Sequence, residues 1–125
     1  MNDLSEMKVM IVDDTAANID VLQRILSEDG FEISIAMSGE AALSLVEKNR
    51  PDLILLNVMM PGIDGFETFE KLKANSFTKD IPVIFVTAKT EVEDIVRGFK
   101  VESVEYIAKP FKREEVLSRV QTNLK

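Results

Sequence analysis

Residues 51–65 read PDLILLNVMMPGIDG. The run Leu53-Ile54-Leu55-Leu56 is continuously apolar, which is typical of a central parallel strand that is buried on both faces. A turn follows, and its Pro61, Gly62 and Gly65 supply fixed and permissive backbone angles. The segment therefore predicts a buried strand that carries Asn57 to its carboxyl end.

Short apolar runs alternate with amphipathic helical patterns on both sides of this segment. The strand candidates are Lys8–Val12, Phe31–Ala36, Leu53–Leu56, Pro82–Val86 and Val104–Ala108. The helical faces are Ile19, Leu22, Ile25 and Leu26; Ala42, Leu43 and Val46; Phe66, Phe69 and Leu72; Val92, Ile95, Val96 and Phe99; and Val116, Leu117, Val120 and Leu124. This rhythm predicts an α/β fold with a doubly wound, five-stranded parallel sheet, (βα)5, for which 2-1-3-4-5 is the better known strand order.

Composition limits the kind of protein. A chain of 125 residues predicts a single domain spanning 1–125, either complete or part of a longer protein. Without cysteine or histidine, disulfides, zinc sites and Ser/His nucleophile systems are excluded. No apolar stretch reaches the roughly 20 residues of a membrane span, so we expect a cytoplasmic protein that is not bound to a membrane. The net charge of −7 disfavours direct nucleic-acid binding.

Polar residues follow several of the predicted strands. Asp13 and Asp14 end the first strand, Asn57 the third, Thr87 the fourth and Lys109 the fifth. In a doubly wound sheet these carboxyl ends form the ligand-binding edge. Crowded carboxylates favour a hard cation such as Mg²⁺, and a hydroxyl with a lysine can hold phosphoryl oxygens. Taken singly, the acidic pair could be only a helix-capping turn and Lys109 an exposed strand end.

Four motifs carry a family resemblance. They are residues 51–65, Val12-Asp13-Asp14, Val86-Thr87-Ala88 and the YIAKPF of residues 106–111. Together they resemble the CheY-like receiver domain of two-component response regulators, which has a flavodoxin-like fold, over essentially the whole chain from Lys8 onward. The chain departs from the family pattern at Asn57, where the phosphate-accepting aspartate is expected. It also departs at Glu102-Ser103, where receivers often carry a Gly-Ala pair and a more permissive turn.

The resemblance implies a metal site. Asp14 would bind Mg²⁺ directly, Asp13 would bind it mostly through water, and the backbone carbonyl of Met59 would complete the protein's share together with the residue at position 57. Asn57 removes one negative charge from this set, so we expect weaker Mg²⁺ binding and less repulsion in the metal-free protein.

The resemblance also implies a phosphate site and a switch. Position 57 would carry the phosphoryl group, and Thr87 and Lys109 would bond its oxygens. Lys109-Pro110 would be a cis peptide. Tyr106 would turn inward as Thr87 moves toward the phosphate, although a surface tyrosine packed on its neighbours is the alternative for this residue.

The implied partners are other proteins. A sensor histidine kinase or phosphotransfer protein would act on the chain. An effector domain or partner protein would contact the face formed by the fourth helix, the fifth strand and the fifth helix, where a homodimer is also possible.

Asn57 changes the expected chemistry. A neutral amide oxygen is a very poor nucleophile, so the chain should not accept phosphate. It is either a natural pseudo-receiver that acts through fixed contacts, or a receiver whose acceptor aspartate was replaced. Retention of the other pocket residues favours replacement or recent loss.

Two other function classes fit less well. In a flavodoxin-like cofactor carrier, Asp13 and Asp14 would repel the cofactor phosphate at the first βα turn. An aspartyl-phosphate hydrolase needs a nucleophilic Asp with a second acid nearby, and Asn57-Val58-Met59 offers neither. We therefore predict a signalling module that is not an enzyme.

Overall fold

The computed structural model describes residues 7–88 and 105–124. The predicted helix with the face Val92 to Phe99 and the departure at Glu102-Ser103 lie outside these residues. No helix in the described part of the chain is both long enough and apolar enough to cross a membrane.

Five parallel strands form one sheet. They are β1 (Lys8–Val12), β2 (Glu32–Ala36), β3 (Leu53–Asn57), β4 (Val83–Ala88) and β5 (Glu105–Lys109). Their order is β2-β1-β3-β4-β5, which confirms the predicted topology. Every residue of β3 is buried, as expected of the central strand, and the more alternating β2 lies at an edge.

Four helices are described. They are α1 (Ala16–Glu28), α2 (Gly39–Lys48), α3 (Gly65–Ala74) and the C-terminal helix (Arg113–Leu124). The predicted face of α1 is buried in full, and Gly30 closes that helix with a φ of 91°. Periodicity therefore located these helices correctly, since the buried positions recur at three and four residues.

The sheet separates two apolar cores. On one side α1 and the C-terminal helix pack on the sheet, with Leu22 and Val116 among the buried residues. On the other side α2 and α3 pack around Leu56, Leu72 and Phe85. Burial of one such large side chain contributes about 1.5 to 3 kcal/mol, so these two layers hold the strand ends in place.

Several predicted boundaries and burial assignments were wrong in detail. The fourth strand runs to Ala88, past Thr87, because Thr87 and Ala88 pair with Ala108 and Lys109 in the sheet. In α3, Phe66 and Phe69 are half-buried, and the fully buried positions besides Leu72 are Gly65 and Thr68. The two aromatic side chains lie over Phe85, which a face of small residues allows them to reach.

Candidate functional site

Three of the predicted pocket residues lie side by side. The strands β1 and β3 are neighbours, with Val12 opposite Leu56, so the acidic pair that follows β1 lies beside Asn57. Asp13 and Asn57 are buried, with 1% and 4% of their surfaces exposed, whereas Asp14 is exposed. The pocket therefore has a buried floor and one carboxylate at its mouth.

The side-chain amide of Asn57 fills the centre of this pocket. Its Nδ2 lies 3.4 Å from Oδ1 of Asp13, 3.4 Å from Oδ1 of Asp14 and 2.9 Å from the backbone oxygen of Met59. The flipped amide would point its oxygen at three acceptors, so the surroundings favour the nitrogen in this position. One neutral donor group thus faces the three oxygens that the family resemblance assigns to a cation.

Asp13 has two different carboxylate oxygens. Its Oδ1 accepts the backbone N–H of Thr15 at 2.9 Å as well as the bond from Asn57. Its Oδ2 is buried and has no hydrogen-bond partner within residues 7–88 and 105–124. Thr15 is the N-cap of α1, but its side chain makes no capping bond. The capping-turn alternative is therefore partly correct, since Asp13 shapes that turn, but it leaves Oδ2 unexplained.

The loop after Asn57 is held by close contacts. Gly65 donates its N–H to the oxygen of Val58 at 2.8 Å, and a Cβ at Gly65 would lie against the backbone of Asn57 and 2.8 Å from the Cα of Val58. Gly62 has a φ of 77°, which favours glycine. Only glycine at position 65 allows the loop to return this close to the pocket, which places the Met59 carbonyl.

The sequence did not reveal the contact that Glu40 makes with this loop. Its Oε2 accepts the N–H of Ile63 at 3.3 Å, although Glu40 lies on α2, 23 residues earlier in the chain. An acidic residue in the first turn of a helix is common, because it offsets the helix dipole, so its spacing alone gives no signal of this contact.

Thr87 and Lys109 lie on the next two strands, β4 and β5, at the same carboxyl end of the sheet. Thr87 is buried on β4, with 1% of its surface exposed, and Lys109 is the half-buried last residue of β5. In the register of the sheet Ile107 is level with Asn57, two strands away. Lys109 therefore starts about 10 Å across the sheet from Asn57 and two residues further along, and its flexible four-carbon stem extends from there. The Lys109-Pro110 peptide is cis, as predicted.

Tyr106 is half-buried on β5, opposite Phe85 of β4. Its ring packs on the core between the sheet, α2 and α3. The guanidinium carbon of Arg119 lies 5.8 Å from the centre of the ring. Tyr106 therefore has both an apolar cluster and a cation as neighbours, and the contact with Arg119 could not be predicted from the sequence pattern.

The oxygen atoms of this pocket are of the kind that a hard cation prefers. Asp13, Asp14 and the Met59 carbonyl offer oxygen ligands, and Asn57 adds one if its amide turns over. The orphaned Oδ2 of Asp13 is a buried anionic atom that a metal-bound water could satisfy. The described residues contain no group of three or more His, Cys, Asp or Glu side chains placed to hold a metal. Two carboxylates and an amide therefore suit Mg²⁺ less well than three carboxylates would.

Comparisons with known proteins identify the family of this chain. The family model described as the response regulator receiver domain matches residues 9–121. The DNA-binding response regulator MtrA of Mycobacterium tuberculosis is 36% identical over 123 residues, which is 98% of this chain and 53% of that protein. The chain thus spans about half the length of the curated relatives it matches.

Two solved structures share the fold closely. The chemotaxis response regulator CheY4 of Vibrio cholerae has a TM-score of 0.84 and 31% identity, over 94% of this chain and 98% of that one. The signal receiver domain of a histidine kinase from Syntrophus aciditrophicus has a TM-score of 0.86 and 31% identity, over 95% and 90%. Phosphorylation and Mg²⁺ binding are typical of such domains. The chain belongs to the family of response regulator receiver domains, the signalling modules of two-component systems.

Proposed function

We propose that this chain is a receiver module held in an unphosphorylated form, because Asn57 stands at the position of the phosphate-accepting aspartate. The proposal is carried by one observation, the position of the Asn57 amide nitrogen among the oxygens of Asp13, Asp14 and Met59. The amide N–H groups donate hydrogen bonds to the pocket oxygens when no metal is bound. The neutral amide is not an anionic nucleophile that could attack an incoming phosphoryl group.

Each pocket residue has a proposed role. Asp14, with its exposed carboxylate, would bind Mg²⁺ directly, and the buried Asp13 would bind it mostly through water. The Met59 carbonyl and Asn57 complete the set. Thr87 and Lys109 are the groups that bond phosphoryl oxygens, Thr87 as a donor and Lys109 as a point charge. Tyr106 is the aromatic switch.

When bound, Mg²⁺ neutralises the acidic pocket and the charge of a phosphoryl group. In this chain its binding requires the Asn57 amide to give up its bonds to the acidic pair. The metal therefore competes with an internal donor, and we propose that Mg²⁺ binds weakly.

The proposed partners are proteins. Response regulators work with histidine kinases and with effectors, and the relative MtrA is named as DNA-binding, which we assign to a part of that protein outside the match. We propose that this chain, as a domain spanning 1–125, signals in the cytoplasm through a partner or an attached effector domain. The surface that includes β5 and the C-terminal helix would make that contact or a homodimer contact.

The alternative is a natural pseudo-receiver, a protein-interaction module that acts without phosphorylation. The bonds made by the Asn57 amide support this alternative as well, because they stabilise one fixed form of the pocket. The two readings differ in whether the rest of the switch still works.

The test is to restore the acceptor. An Asn57→Asp variant and the parent chain are treated with Mg²⁺ and a small phosphodonor, and the intact masses are compared. In the variant, a carboxylate oxygen of residue 57 attacks phosphorus and the donor's leaving group departs. We expect the variant to gain one phosphoryl group and the parent none. Phosphorylation of the parent at Asn57, or no reaction of the variant, would contradict the proposal.

Beryllofluoride separates the two readings. In a disabled receiver, the mimic with Mg²⁺ shifts the NMR signals of Thr87 and Tyr106 in the Asn57→Asp variant and leaves those of the parent in place. In a pseudo-receiver whose switch has been lost, residue 57 binds the mimic while Tyr106 keeps its parent signals.

A further inference from the structure

Arg119 reaches from the C-terminal helix to the aromatic side chain of the edge strand. The buried residues Val116 and Val120 of this helix belong to the core shared with α1. Tyr106 packs on the core at the opposite face of the sheet. The guanidinium of Arg119 nevertheless lies 5.8 Å from the ring centre. Because β5 is an edge strand, the side chain can pass around it and contact both layers.

Two carboxylates lie beside the guanidinium. Nη1 of Arg119 bonds Oε1 of Glu105 at 2.9 Å, and Glu105 precedes Tyr106 on the same strand. Oε2 of Glu115 lies 3.7 Å from Nε, and Nε is buried without a hydrogen-bond partner among the residues described. The unsatisfied Nε disfavours this position, so the favourable contributions come from the ion pair with Glu105 and the contact with the ring.

Tyr106 also packs on an apolar cluster that contains aromatic side chains. Phe85 is its partner in the sheet register, and the ring of Phe85 lies 5.8 Å from that of Phe66 and 5.3 Å from that of Phe69. The Tyr106 ring therefore packs on a cluster that contains Phe85 and has a cation 5.8 Å from its centre.

We propose that Arg119 is a positioning residue that holds the ring of Tyr106 in its half-buried place and couples that place to the C-terminal helix. When the ring moves, it loses its contact with Arg119. The guanidinium and its ion pair with Glu105 can then move as well. The switching role of Tyr106 rests on the proposed function. The holding by Arg119 rests on the contacts alone.

The chain allows a direct test, because Tyr106 is its single tyrosine and it has no tryptophan. Labelled tyrosine therefore gives ring resonances from this residue alone. Ring relaxation dispersion on the parent, Arg119→Met and Arg113→Met would measure the fraction of molecules with a displaced ring. Arg113 is the matched control, since it lies on the same helix and its guanidinium pairs with the exposed Glu28 of α1.

We expect Arg119→Met to raise the displaced fraction by about two- to fivefold and to shift the ring resonances, which corresponds to the loss of one cation–π contact. We expect the Arg113→Met spectrum to match the parent. Identical Tyr106 signals in Arg119→Met and Arg113→Met, both folded by circular dichroism, would overturn the proposal.

Glu105→Gln keeps the test decisive if Arg119→Met does not fold. This variant loosens the guanidinium while the aliphatic stem of Arg119 stays in place. We expect a displaced fraction above that of the parent, with an increase smaller than about fivefold. An unchanged fraction would count against the proposal.

The result is separable from the proposed function, because these measurements need neither phosphodonor nor Mg²⁺. If the Asn57→Asp variant with beryllofluoride leaves Tyr106 unmoved while Arg119→Met moves it, the switch fails and the positioning role remains. If beryllofluoride moves Tyr106 but Arg119→Met does not, only the positioning role fails.

Discussion

The two ends of the sheet differ in how well the hydrogen-bonding groups of their polar side chains are satisfied. Where the strands begin, Asp52 accepts the N–H of Lys8 at 2.8 Å, and the buried hydroxyl of Thr78 donates to the oxygen of Leu72 at 2.6 Å. Lys73 donates to two backbone oxygens, and burial lowers its pKa while the charge of Asp80 acts in the opposite direction. These groups bond to the backbone and complete the fold.

Where the strands end, the buried groups are less well satisfied. The Asn57 amide makes two long bonds of 3.4 Å to the acidic pair, and Oδ2 of Asp13 has no partner in the described parts of the chain. A buried polar atom left unmatched costs about 1 to 3 kcal/mol. The contrast suggests that the carboxyl end retains this cost for a ligand, as functional sites commonly do.

The largest effect on the difference between the two ends of the sheet is expected when the negative charge at position 57 is restored. Without metal at neutral pH, Asn57→Asp should lower the free energy of unfolding by about 2 to 4 kcal/mol, because it replaces a donor with a third carboxylate. Saturating Mg²⁺ should recover most of this loss in the variant and stabilise the parent less. Urea unfolding with EDTA and with Mg²⁺ measures both effects.

Asn49→Asp is the control for adding a carboxylate elsewhere. Asn49 lies at the opposite end of the sheet and its Oδ1 accepts a bond from Nζ of Lys8 at 3.2 Å, so a charge there is tolerated. Equal Mg²⁺-induced gains in the parent and in Asn57→Asp would refute the competition between amide and metal.

Thr78→Val tests the other end of the sheet. The change leaves the oxygen of Leu72 without its 2.6 Å partner in a buried site, so stability should fall by about 2 kcal/mol. Thr78→Ser keeps the hydroxyl and should lose less. Thermal and urea unfolding should show the same Mg²⁺ response in both variants as in the parent, and an altered response would show that the two ends are not independent.

Much of the fold could be predicted because hydrophobic periodicity determines it. The continuous run from Leu53 to Leu56 predicted the buried central strand, and the spacing of Ile19, Leu22 and Leu26 predicted the buried face of α1. The strand order was predicted as the better known of the doubly wound orders. Strand ends were less predictable, because pairing with β5 extends β4 to Ala88 whatever its own sequence pattern.

The sequence predicted which residues form the pocket, but it did not predict the contacts that they make. Strand ends in a parallel sheet share one edge, which placed Asp13 and Asn57 together. The direction of the Asn57 amide depends on the charges around it. The contacts of Glu40 with Ile63 and of Arg119 with Tyr106 depend on side chains that meet across loops and around a sheet edge, for which sequence spacing gives no signal.

Asp13→Asn should stabilise the protein. The change removes the buried charge whose Oδ2 lacks a partner and keeps an oxygen for Thr15 and Asn57, so the free energy of unfolding should rise by about 1 kcal/mol. Mg²⁺ should then have almost no effect. Asp14→Asn, the control, removes the same charge from the exposed neighbour and should change metal-free stability by less than about 0.5 kcal/mol. A loss of stability in Asp13→Asn would show that Asp13 is structural.

The smallest effect is expected for Ser38→Ala, which tests whether a polar residue at this end of the sheet affects the Mg²⁺ response merely by its location. Ser38 also follows a strand at the carboxyl end of the sheet, but its Oγ accepts the N–H of Ala41 at 3.0 Å as the N-cap of α2. Ser38→Ala should cost about 0.5 to 1 kcal/mol with an unchanged Mg²⁺ response. Ser44→Ala, in the interior of the same helix, should stabilise slightly, because alanine favours helix. If Ser38→Ala weakened the Mg²⁺ response as strongly as Asp13→Asn, position at this edge would matter more than the chemistry of the pocket residues.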